Sequence, residues 1–527
     1  MLLVRNIRLP LSCPDPDAEA AAQALHILRV PAHKAARCGV AKLSVDARHG
    51  KPVLVYTMAI TLKDEGEESA YAGASPCVCF TQPTRFSFSV GDTALKTRPV
   101  VVGLGPAGLF AALLLARSGF RPLVLERGPE LDERVKAVEH FEKTGELNLN
   151  ANIQFGEGGA GTFSDGKLTT RIKDPLCAFV TDAFLQHGAP ADIAWRQKPH
   201  VGTDLLRGII RSIRQEIIAL GGEVRFNTAL TGLKIENGAL AGVETTAGDF
   251  ACEQLILAVG HSARDTFAML HRQGVPMEAK PFAVGVRIEQ RQADCDVAQY
   301  KQYAGHPGLP ASTYKLSCHL PNSRGVFSFC VCPGGEVVAA ASEAHRVVTN
   351  GMSEFARDME NINGALLVNV TPEDFGGDGP LAGIEFQRRL EEAAYRAGGG
   401  GYHAPAQRVE DFLARRPSAG PGRVNPSYRP GVTWTNLWDC LPEFVAASIA
   451  EALPILGRKL KGYDQPDAVL TAVESRSSSP VRLLRDEDRQ SPIRGLYPCG
   501  EGGGWAGGIL SAAADGMRCA EAVCRHL

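Results

Sequence analysis

Residues 100–128 restrict the fold of this chain more than any other segment does. They read VVVGLGPAGLFAALLLARSGFRPLVLERG, in which an apolar run, a glycine-rich turn, a helical stretch and a second apolar run follow one another. A βαβ unit with two parallel strands has this order of elements. The segment therefore predicts an α/β fold whose core is a Rossmann-like sheet.

The glycines of this segment stand where a dinucleotide would lie. Gly103 permits the tight turn, Gly105 lets the backbone approach a pyrophosphate, and Gly108 lets the helix pack on the sheet. The helix that begins near Pro106 directs its N-terminal N–H groups and partial positive charge at the phosphates. Glu126, at the end of the second strand, can accept hydrogen bonds from both ribose hydroxyls. That favours FAD or NAD over a cofactor with a 2′-phosphate.

A membrane helix is the alternative interpretation of this region, because residues 99–116 carry no charge. That stretch contains a Gly-x-Gly-Pro break and is shorter than the roughly 20 residues that span a bilayer. Near the N-terminus, Arg5 and Arg8 interrupt a short apolar run, which then resembles neither a signal peptide nor an anchor. We therefore expect a cytoplasmic protein with no membrane partner.

Length, charge and cysteine content narrow the class of protein further. The chain has 527 residues, a length that suggests about three domains. Its net charge of −2 and pI of about 6.7 give no reason to expect a nucleic acid partner. Its 14 cysteines include the pairs Cys77/Cys79 and Cys330/Cys332 but no CxxC. This argues against a secreted disulfide scaffold, a zinc ribbon and a flavin disulfide reductase with a closely spaced dithiol. We expect both pairs to be buried strand cysteines, with a redox or metal role as the alternative, and we predict no metal ligands.

The C-terminal segment LYPCGEGGGWAGGILSAAADG repeats the pattern of strand, glycine turn and helix. An NAD dehydrogenase needs one glycine-rich unit, whereas an FAD protein must also hold ribitol and the isoalloxazine ring. Gly500 and Glu501 can fix ribitol and phosphate. The helix that starts near Gly507, Gly508 and Ile509 can direct its N-terminus at a flavin and stabilise negative charge on reduction. The predicted cofactor is FAD.

Three units are expected along the chain. Residues 1–95 show strand, helix, strand and strand patterns, which predict a small α+β (βαββ, ferredoxin-like) domain with a mobile connection at residues 63–76. Residues 98–275 and 471–527 predict a discontinuous Rossmann-like FAD-binding domain. Residues 276–470 predict an inserted mixed α/β substrate domain.

Several motifs in order resemble those of a known family. They are GLGPAGL, QFGEGGAGTFSDGKLTTR, KPHVGTD, LAVGHSARDTF, FSFCVCPGGEVV, VESRSSSPVRLLRD and GEGGGWAGGILSAAADG. Over essentially its full length the chain is similar to the NAD(FAD)-utilising dehydrogenases of the glutathione-reductase-like FAD superfamily. It departs from the expected GEGAGYAGG at Trp505 and from TRTSSP at SRSSSP, which leaves the substrate preference open.

The resemblance implies a role for each matching position. Pyrophosphate is expected at the first glycine motif, ribose at Glu126, phosphate at Arg127 or Arg134, and adenine at the backbone near Leu230. The flavin ring is expected at residues 158–162 and 507–509. The full set of expected cofactor-binding residues is Gly103, Gly105, Pro106, Ala107, Gly108, Glu126, Arg127, Arg134, Gly158, Gly159, Ala160, Gly161, Thr162, Leu230, Ala258, Gly260, Gly500, Glu501, Gly507, Gly508 and Ile509.

Because FAD carries the hydride chemistry, the protein has only to orient a substrate and manage one proton. Lys167 and Arg171 follow the second glycine segment and could bind an acidic substrate, and Arg476 could do so bidentately. For each of the three, a structural salt bridge or a phosphate contact is the alternative. A catalytic His261 is disfavoured, because it follows the strand at the nucleotide end.

The chain shows no second GxGxxG unit, so NADH or NADPH would have to bind transiently as electron donor, unless the substrate or a protein partner reduces the flavin.

We predict an FAD-dependent oxidoreductase that moves a hydride between flavin N5 and a small substrate. One alternative is an FAD-dependent monooxygenase or halogenase, although the GWxWxIP stretch of tryptophan halogenases is missing. The other is a flavin-binding partner protein that docks through its N-terminal domain. The oligomeric state stays open.

Overall fold

The computed structural model describes residues 1–48, 50–82, 86–88, 90–91, 95–170, 172 and 174–525. It is a mixed α/β structure built around one parallel sheet, one large mixed sheet and a small antiparallel sheet. The mixed α/β class predicted from the sequence is therefore confirmed.

Helices alternate with strands in parts of the chain, while elsewhere several strands follow one another, as in residues 223–257 and 317–370. The strands are β1 (Leu2–Pro10), β2 (Ala35–Asp46), β3 (Val53–Leu62), β4 (Val78–Phe80), β5 (Val100–Val102), β6 (Leu123–Leu125), β7 (Glu223–Arg225), β8 (Leu230–Glu236), β9 (Ala239–Thr245), β10 (Gly248–Ala251), β11 (Leu255–Leu257), β12 (Met277–Ala279), β13 (Phe282–Arg291), β14 (Ser317–His319), β15 (Gly325–Cys332), β16 (Glu336–Ala339), β17 (Thr349–Met352), β18 (Asn361–Val370), β19 (Ala404–Arg408), β20 (Val432–Trp434), β21 (Val469–Glu474), β22 (Val481–Leu483) and β23 (Leu496–Pro498). The α-helices are α1 (Pro16–Leu28), α2 (Pro106–Arg117), α3 (Leu131–Thr144), α4 (Leu176–Gln186), α5 (Thr203–Ala219), α6 (Arg264–Arg272), α7 (Gln292–Tyr300), α8 (Ala382–Ala397), α9 (Val409–Leu413), α10 (Glu443–Lys459) and α11 (Ile509–Arg525).

The parallel sheet contains the βαβ unit read from the sequence. Its five strands lie in the order β23-β11-β5-β6-β7, and every neighbouring pair is parallel. Val101 packs with α2, α4, α5 and α11 on one face, while Val100 and Val102 pack on the other. Both faces are covered, which explains why these strands are continuous apolar runs rather than alternating ones.

The mixed sheet has seven strands in the order β14-β15-β18-β13-β21-β19-β20. Its pairs are antiparallel except β19 with β20. Alternate residues of β13, including Val284 and Val286, pack in a core that also contains Val445 and Ile449 of α10. Strand β21 crosses the boundary expected between residues 470 and 471 and ends at Glu474.

The N-terminal residues form an antiparallel sheet in the order β2-β3-β1-β4, with α1 packed on it. The residues expected to form a mobile connection instead contain a short 3₁₀ helix at Glu65–Tyr71. Glu68 within it is buried, accepts a hydrogen bond from the N–H of Leu62 at 3.0 Å and pairs with the amino group of Met1. This buried carboxylate holds a segment that its polar composition suggested would be loose.

One edge of the N-terminal sheet is paired within the same chain. The N–H of Leu43 in β2 donates to the carbonyl of Trp195 at 2.8 Å, and the N–H of Gln197 donates back to Leu43 at 3.0 Å. Backbone groups that an edge strand would otherwise expose are therefore partly satisfied. No helix in the described part of the chain has the length and apolar character needed to cross a bilayer.

Candidate functional site

The first glycine motif lies where β5 ends and α2 begins. Gly103 has a φ of +96°, and a Cβ atom there would clash with the carbonyl group of Ala258, which directly follows the neighbouring strand β11. A Cβ atom at Gly108 would clash with the carbonyl oxygen of Gly103. Gly105 caps α2, whose first residue is Pro106. The turn therefore needs these glycines for backbone reasons, and it leaves the N-terminus of α2 facing an open cleft.

A second glycine loop, residues 156–161, lies directly against the first. A Cβ atom at Gly159 would lie 2.8 Å from Cα of Gly105, and the N–H of Gly158 donates to the carbonyl of Leu104 at 2.8 Å. Two backbones can approach this closely only because neither carries a side chain at the contact. The paired loops form one rim of the cleft.

Glu126 ties the two loops together at the end of β6. Its carboxylate is buried and accepts hydrogen bonds from the N–H groups of Leu104, Gly128 and Gly156 at 2.8, 2.9 and 3.0 Å. Glu126 also lines the cleft. Since two carboxylate oxygens offer about four acceptor positions, one remains for a hydroxyl donor such as ribose.

Arg134 lies behind the second loop, whereas the family resemblance implied a phosphate contact for Arg127 or Arg134; of the two, Arg127 lines the cleft. The guanidinium of Arg134 is fully buried and donates to the carbonyls of Asn152, Ile153 and Glu157 at 3.0, 2.8 and 2.5 Å. It is not among the described residues that line the cleft. Its N–H groups donate to backbone carbonyls of the protein, so Arg134 stabilises the conformation of this loop.

The third wall comes from the C-terminal segment. The N–H of Gly500 donates to Asp515 Oδ2 at 2.8 Å, and Arg485 holds that carboxylate with a 2.6 Å hydrogen bond to Oδ1. Among the described residues, no atom comes within 4 Å of a Cβ built at Gly507 or Gly508. These two glycines border open space at the start of α11, which is the room a flat ring would require.

Trp505, where the chain departs from the expected GEGAGYAGG motif, lies on the outer side of this turn. Its indole N–H donates to the carbonyl of Leu483 at 2.9 Å, and the ring lies against Arg482 and Arg485. Trp505 is 37% exposed and is not among the described residues of the cleft wall. The departure at this position therefore changes the outer surface of the turn.

All these loops border one cavity, which we call the central cleft. Most residues expected at the cofactor line it: Gly103, Gly105, Pro106, Ala107, Glu126, Arg127, Gly159, Ala160, Gly161, Leu230, Ala258, Gly260, Gly500, Glu501, Gly507, Gly508 and Ile509. Gly108, Arg134, Gly158 and Thr162 lie behind the wall. Of the three candidate catalytic residues, Lys167 and Arg476 line the cleft and Arg171 lies outside the described residues.

The cleft also has a wall that sequence reasoning missed. Residues of the mixed sheet and its loops reach it, namely Phe329, Cys330, Asn350, Glu474 and Ser477. Lys167, Cys330, Asn350 and Glu474 are grouped here as the polar end of the central cleft. The motifs FSFCVCPGG and VESRSS contain four of these five residues and were the available sequence signal, but only the fold places them opposite the glycine loops.

Lys167 at the polar end is held by a buried acid. Its Nζ lies 3.1 Å from Asp165 Oδ2, and Arg357 donates to both oxygens of the same carboxylate at 2.9 and 2.5 Å. Burial alone would raise the pKa of Asp165, but Lys167 and Arg357 outweigh it and lower that pKa. Lys167 therefore stays cationic in the cleft wall.

Arg476 already has a carboxylate partner. It donates to both oxygens of Glu391, at 3.0 and 2.9 Å, and its Nη1 donates to Ser262 and Ser342. Arg264 also donates to both oxygens of Glu391, at 2.6 and 2.8 Å. Arg476 thus makes with Glu391 the bidentate hydrogen bonds that we expected it to make with a substrate. We therefore regard Arg476 as a structural part of the wall.

Comparisons with known proteins agree with this geometry. Residues 281–477 match the family described as FAD-dependent protein, C-terminal domain-like. A protein from Clostridium beijerinckii is 53% identical over 437 residues, which is 82% of each chain. The chain belongs to this family of FAD-dependent proteins. The prediction of FAD as cofactor is confirmed.

Solved structures give a weaker likeness. Glycine oxidase from Bacillus cereus matches 82% of this FAD-dependent protein and 98% of its own chain, at 10% identity and a TM-score of 0.34. Glycerol-3-phosphate dehydrogenase from Bacillus halodurans, complexed with FAD, matches 81% and 64%, at 11% identity and a TM-score of 0.34. At these scores neither structure bears on the substrate.

Two carboxyl groups that line the central cleft have pKa values far above the usual range. Burial is the main cause, and it raises the pKa of Glu474 and that of Glu501 to about 7. Arg287 opposes the shift at Glu474, and Lys280 opposes it at Glu501. Either group can therefore gain or lose a proton at physiological pH, which suits general acid–base work.

His261 lines the cleft but is poorly suited to carry a proton. Burial and the neighbouring cations Arg476 and Arg264 lower its pKa to about 3. Its Nδ1 lies 3.0 Å from the hydroxyl of Ser262. The imidazole is neutral at physiological pH, in agreement with the low expectation for His261 as a catalytic residue.

Proposed function

We propose that this FAD-dependent protein transfers a hydride between flavin N5 and a small polar substrate bound at the polar end of the central cleft. One observation carries the proposal. A single cleft runs from the glycine motif of β5 and α2 to Lys167, Cys330 and Glu474 on the far wall. A cofactor bound along the glycine loops would leave this end for a substrate.

The residues present fit FAD. The glycines at 103, 105 and 159 leave backbone N–H groups and space for a pyrophosphate, and Glu126 keeps an acceptor for ribose. The open space beside Gly507 and Gly508 suits the ring. FAD supplies two-electron hydride chemistry when bound, so the protein has to position the substrate and handle a proton.

Lys167 is the residue we assign to substrate binding. Its ammonium lines the cleft and keeps its charge because Asp165 lies 3.1 Å away. A fixed cation at this position would bind an anionic substrate group, or stabilise negative charge that develops during hydride transfer. Since Asp165 is itself anchored by Arg357, the ammonium is held in place before the substrate arrives.

Glu474 is the residue we assign to proton transfer. It is 3% exposed, lines the cleft, and its Oε2 has no hydrogen-bond partner among the described residues. With its pKa raised to about 7, the carboxyl group is divided between its acid and base forms near neutral pH. A buried oxygen without a partner is costly, and a substrate hydroxyl or amine would satisfy it.

The organisation expected from the sequence is kept as part of the proposal. Residues 98–275 and 471–527 would bind FAD, residues 276–470 would supply the polar end, and residues 1–95 would form a separate unit. NADH or NADPH would reach the flavin through the open cleft as a transient donor.

The first experiment is a visible absorbance spectrum of the purified holoenzyme, followed by anaerobic addition of NADH and NADPH. We expect a bound flavin that one nucleotide bleaches, and slower bleaching when the transferred hydrogen is replaced by deuterium. Lys167→Gln should slow the bleaching by about tenfold or more, while Lys234→Gln, on a surface strand, should not. A protein that binds no FAD, or a flavin bleached at the same rate with deuterated donor and in Lys167→Gln, would argue against the proposal.

A further inference from the structure

Strand β15 contains an irregularity at the point where it reaches the central cleft. Phe329 pairs with Ala365 and Cys332 pairs with Asn363, so three steps along β15 are matched by two along β18. Cys330 lies within the extra step and has a φ of +43°, in the left-handed region that non-glycine residues seldom adopt. A bulge of this kind redirects side chains and is common next to active sites.

The bulge places two thiols beside two cations. Cys330 lines the cleft, whereas Cys332 is fully buried behind it. Lys167 Nζ lies 4.0 Å from Cys332 Sγ, and Arg287 Nη2 lies 3.8 Å from the same sulfur. The Cys332 thiol donates to the carbonyl of Cys330 at 3.4 Å. Thiols in electropositive surroundings with access to a cleft are the reactive ones.

Unpartnered polar atoms beside the thiols point independently to a ligand. Arg287 is fully buried, and its Nε and Nη1 have no hydrogen-bond partner among the described residues. Glu474 Oε2 lies 3.6 Å from Arg287 Nη1, too far for a hydrogen bond, and is also unpartnered. Buried groups of this kind are rare in native proteins unless another molecule satisfies them.

We propose that Cys330 and Cys332 form a redox-active thiol pair that exchanges two electrons with FAD in the central cleft. Cys330 faces the cleft and is the attacking thiol, and Cys332 lies behind it as its partner. The proposal goes beyond hydride transfer to a small substrate, and it shares with the proposed function FAD, Lys167 and the unpartnered oxygen of Glu474.

The step balances with FAD as the electron acceptor. Loss of one proton from each thiol and of two electrons from the pair forms one S–S bond, and FAD takes up two electrons and two protons to become FADH₂. The reverse step breaks the S–S bond and restores both thiols. A side-chain contact with Cys332, together with Lys167 and Arg287, lowers the pKa of Cys330, while the same contact and burial raise the pKa of Cys332. These directions agree with the position of Cys330 in the cleft wall, which makes it the accessible thiol of the pair.

The first test counts electrons. The holoenzyme is oxidised with diamide, freed of reagent and titrated anaerobically with dithionite while the flavin absorbance is followed. We expect about four electrons per FAD in the wild-type protein and about two in Cys332→Ser, because one two-electron couple is lost. Cys38→Ser removes an exposed thiol and should still take up four. A wild-type value of two, with no loss of two hydrogen masses from the peptide that carries both cysteines, would overturn the proposal.

The second test needs neither turnover nor a folded cysteine variant. Wild-type holoenzyme is treated with short pulses of iodoacetamide below neutral pH, and modified cysteines are mapped by mass spectrometry. Cys330 should react about tenfold faster than the exposed Cys38, and Lys167→Gln should slow Cys330 alone. Equal rates at the two cysteines would refute the assignment. Because neither test uses a hydride donor, failure of hydride transfer would leave both readable.

Discussion

Replacing Glu391 with glutamine is expected to destabilise the protein strongly, because Glu391 is the shared anion of two buried cations. It is fully buried in α8, accepts two hydrogen bonds each from Arg264 and Arg476, and accepts a fifth from Ser475 at 2.7 Å. Burial alone would raise the pKa of Glu391, yet the two guanidinium groups bring it well below the usual range. Glu391→Gln keeps the shape of the side chain and removes its charge.

The expected cost is about 3–5 kcal/mol, the range for breaking a buried ion pair by neutralising one partner. The lower end of this range applies, because Glu343 also accepts a hydrogen bond from Arg264, at 2.5 Å. Its negative charge remains after the substitution and offsets part of the charge that is lost. The measurement is the urea midpoint of unfolding, followed by tryptophan fluorescence. Flavin content is a second readout, since Arg476 also supports Ser262 in the cleft wall at 3.0 Å.

The neighbouring Glu392→Gln is the matched control. Glu392 is 41% exposed and pairs with Arg346 at 2.6 Å, so its loss should cost at most about 1 kcal/mol. The folded pKa of Glu391 is depressed, so its stabilisation is present above the unfolded value, about 4.3, and is lost as the pH falls below it. If Glu391→Gln costs no more than Glu392→Gln, or shows an unchanged acid limb, the buried cluster does not stabilise the fold as argued.

Further substitutions test the rim and the polar end. Gly103→Ala should yield protein with little flavin, since its Cβ would clash with the Ala258 carbonyl, and the ratio of flavin to protein absorbance measures this. Gly73→Ala is the control, because Gly73 has a φ of +82° and no atom of the described residues lies within 4 Å of a Cβ built there. Arg134→Met should lower flavin affinity at least tenfold in a flavin titration, because the second glycine loop loses its buried donors. The folded pKa of Glu474 is raised to about 7, so its contribution to stability is present at acid pH and is lost as the pH rises through 7. The urea midpoint of the wild-type protein should therefore fall between about pH 5 and 8, and Glu474→Gln should show a smaller fall.

Three results would contradict these expectations. Normal flavin content in Gly103→Ala would mean that the turn has room for a side chain. Unchanged affinity in Arg134→Met would mean that the loop keeps its shape without the buried guanidinium. An identical pH profile for Glu474→Gln would mean that this carboxyl group does not titrate near neutrality in the folded protein.

The nucleotide-binding part of the fold could be predicted from local sequence, because its requirements are local. Three such features follow one another within 30 residues. They are a turn that a Cβ at Gly103 would block, a helix that begins at Pro106 and an acidic residue at the end of the next strand. Each demands a particular residue type for reasons of backbone conformation or hydrogen bonding. The same holds for the C-terminal turn before α11, so FAD and the α/β class could be recognised before the structure was known.

The partners of charged groups were decided only by the tertiary structure. Arg134 was expected at a phosphate and lies buried in the protein, while Arg476 was expected at a substrate and grips Glu391, 85 positions away. Cys330 was expected in a buried strand and instead lines the cleft through a bulge that residues of β18 define. An ion pair or a bulge depends on which distant strand or helix lies opposite, and a charged side chain has the same local signature whether its partner is a phosphate, a substrate or a buried carboxylate.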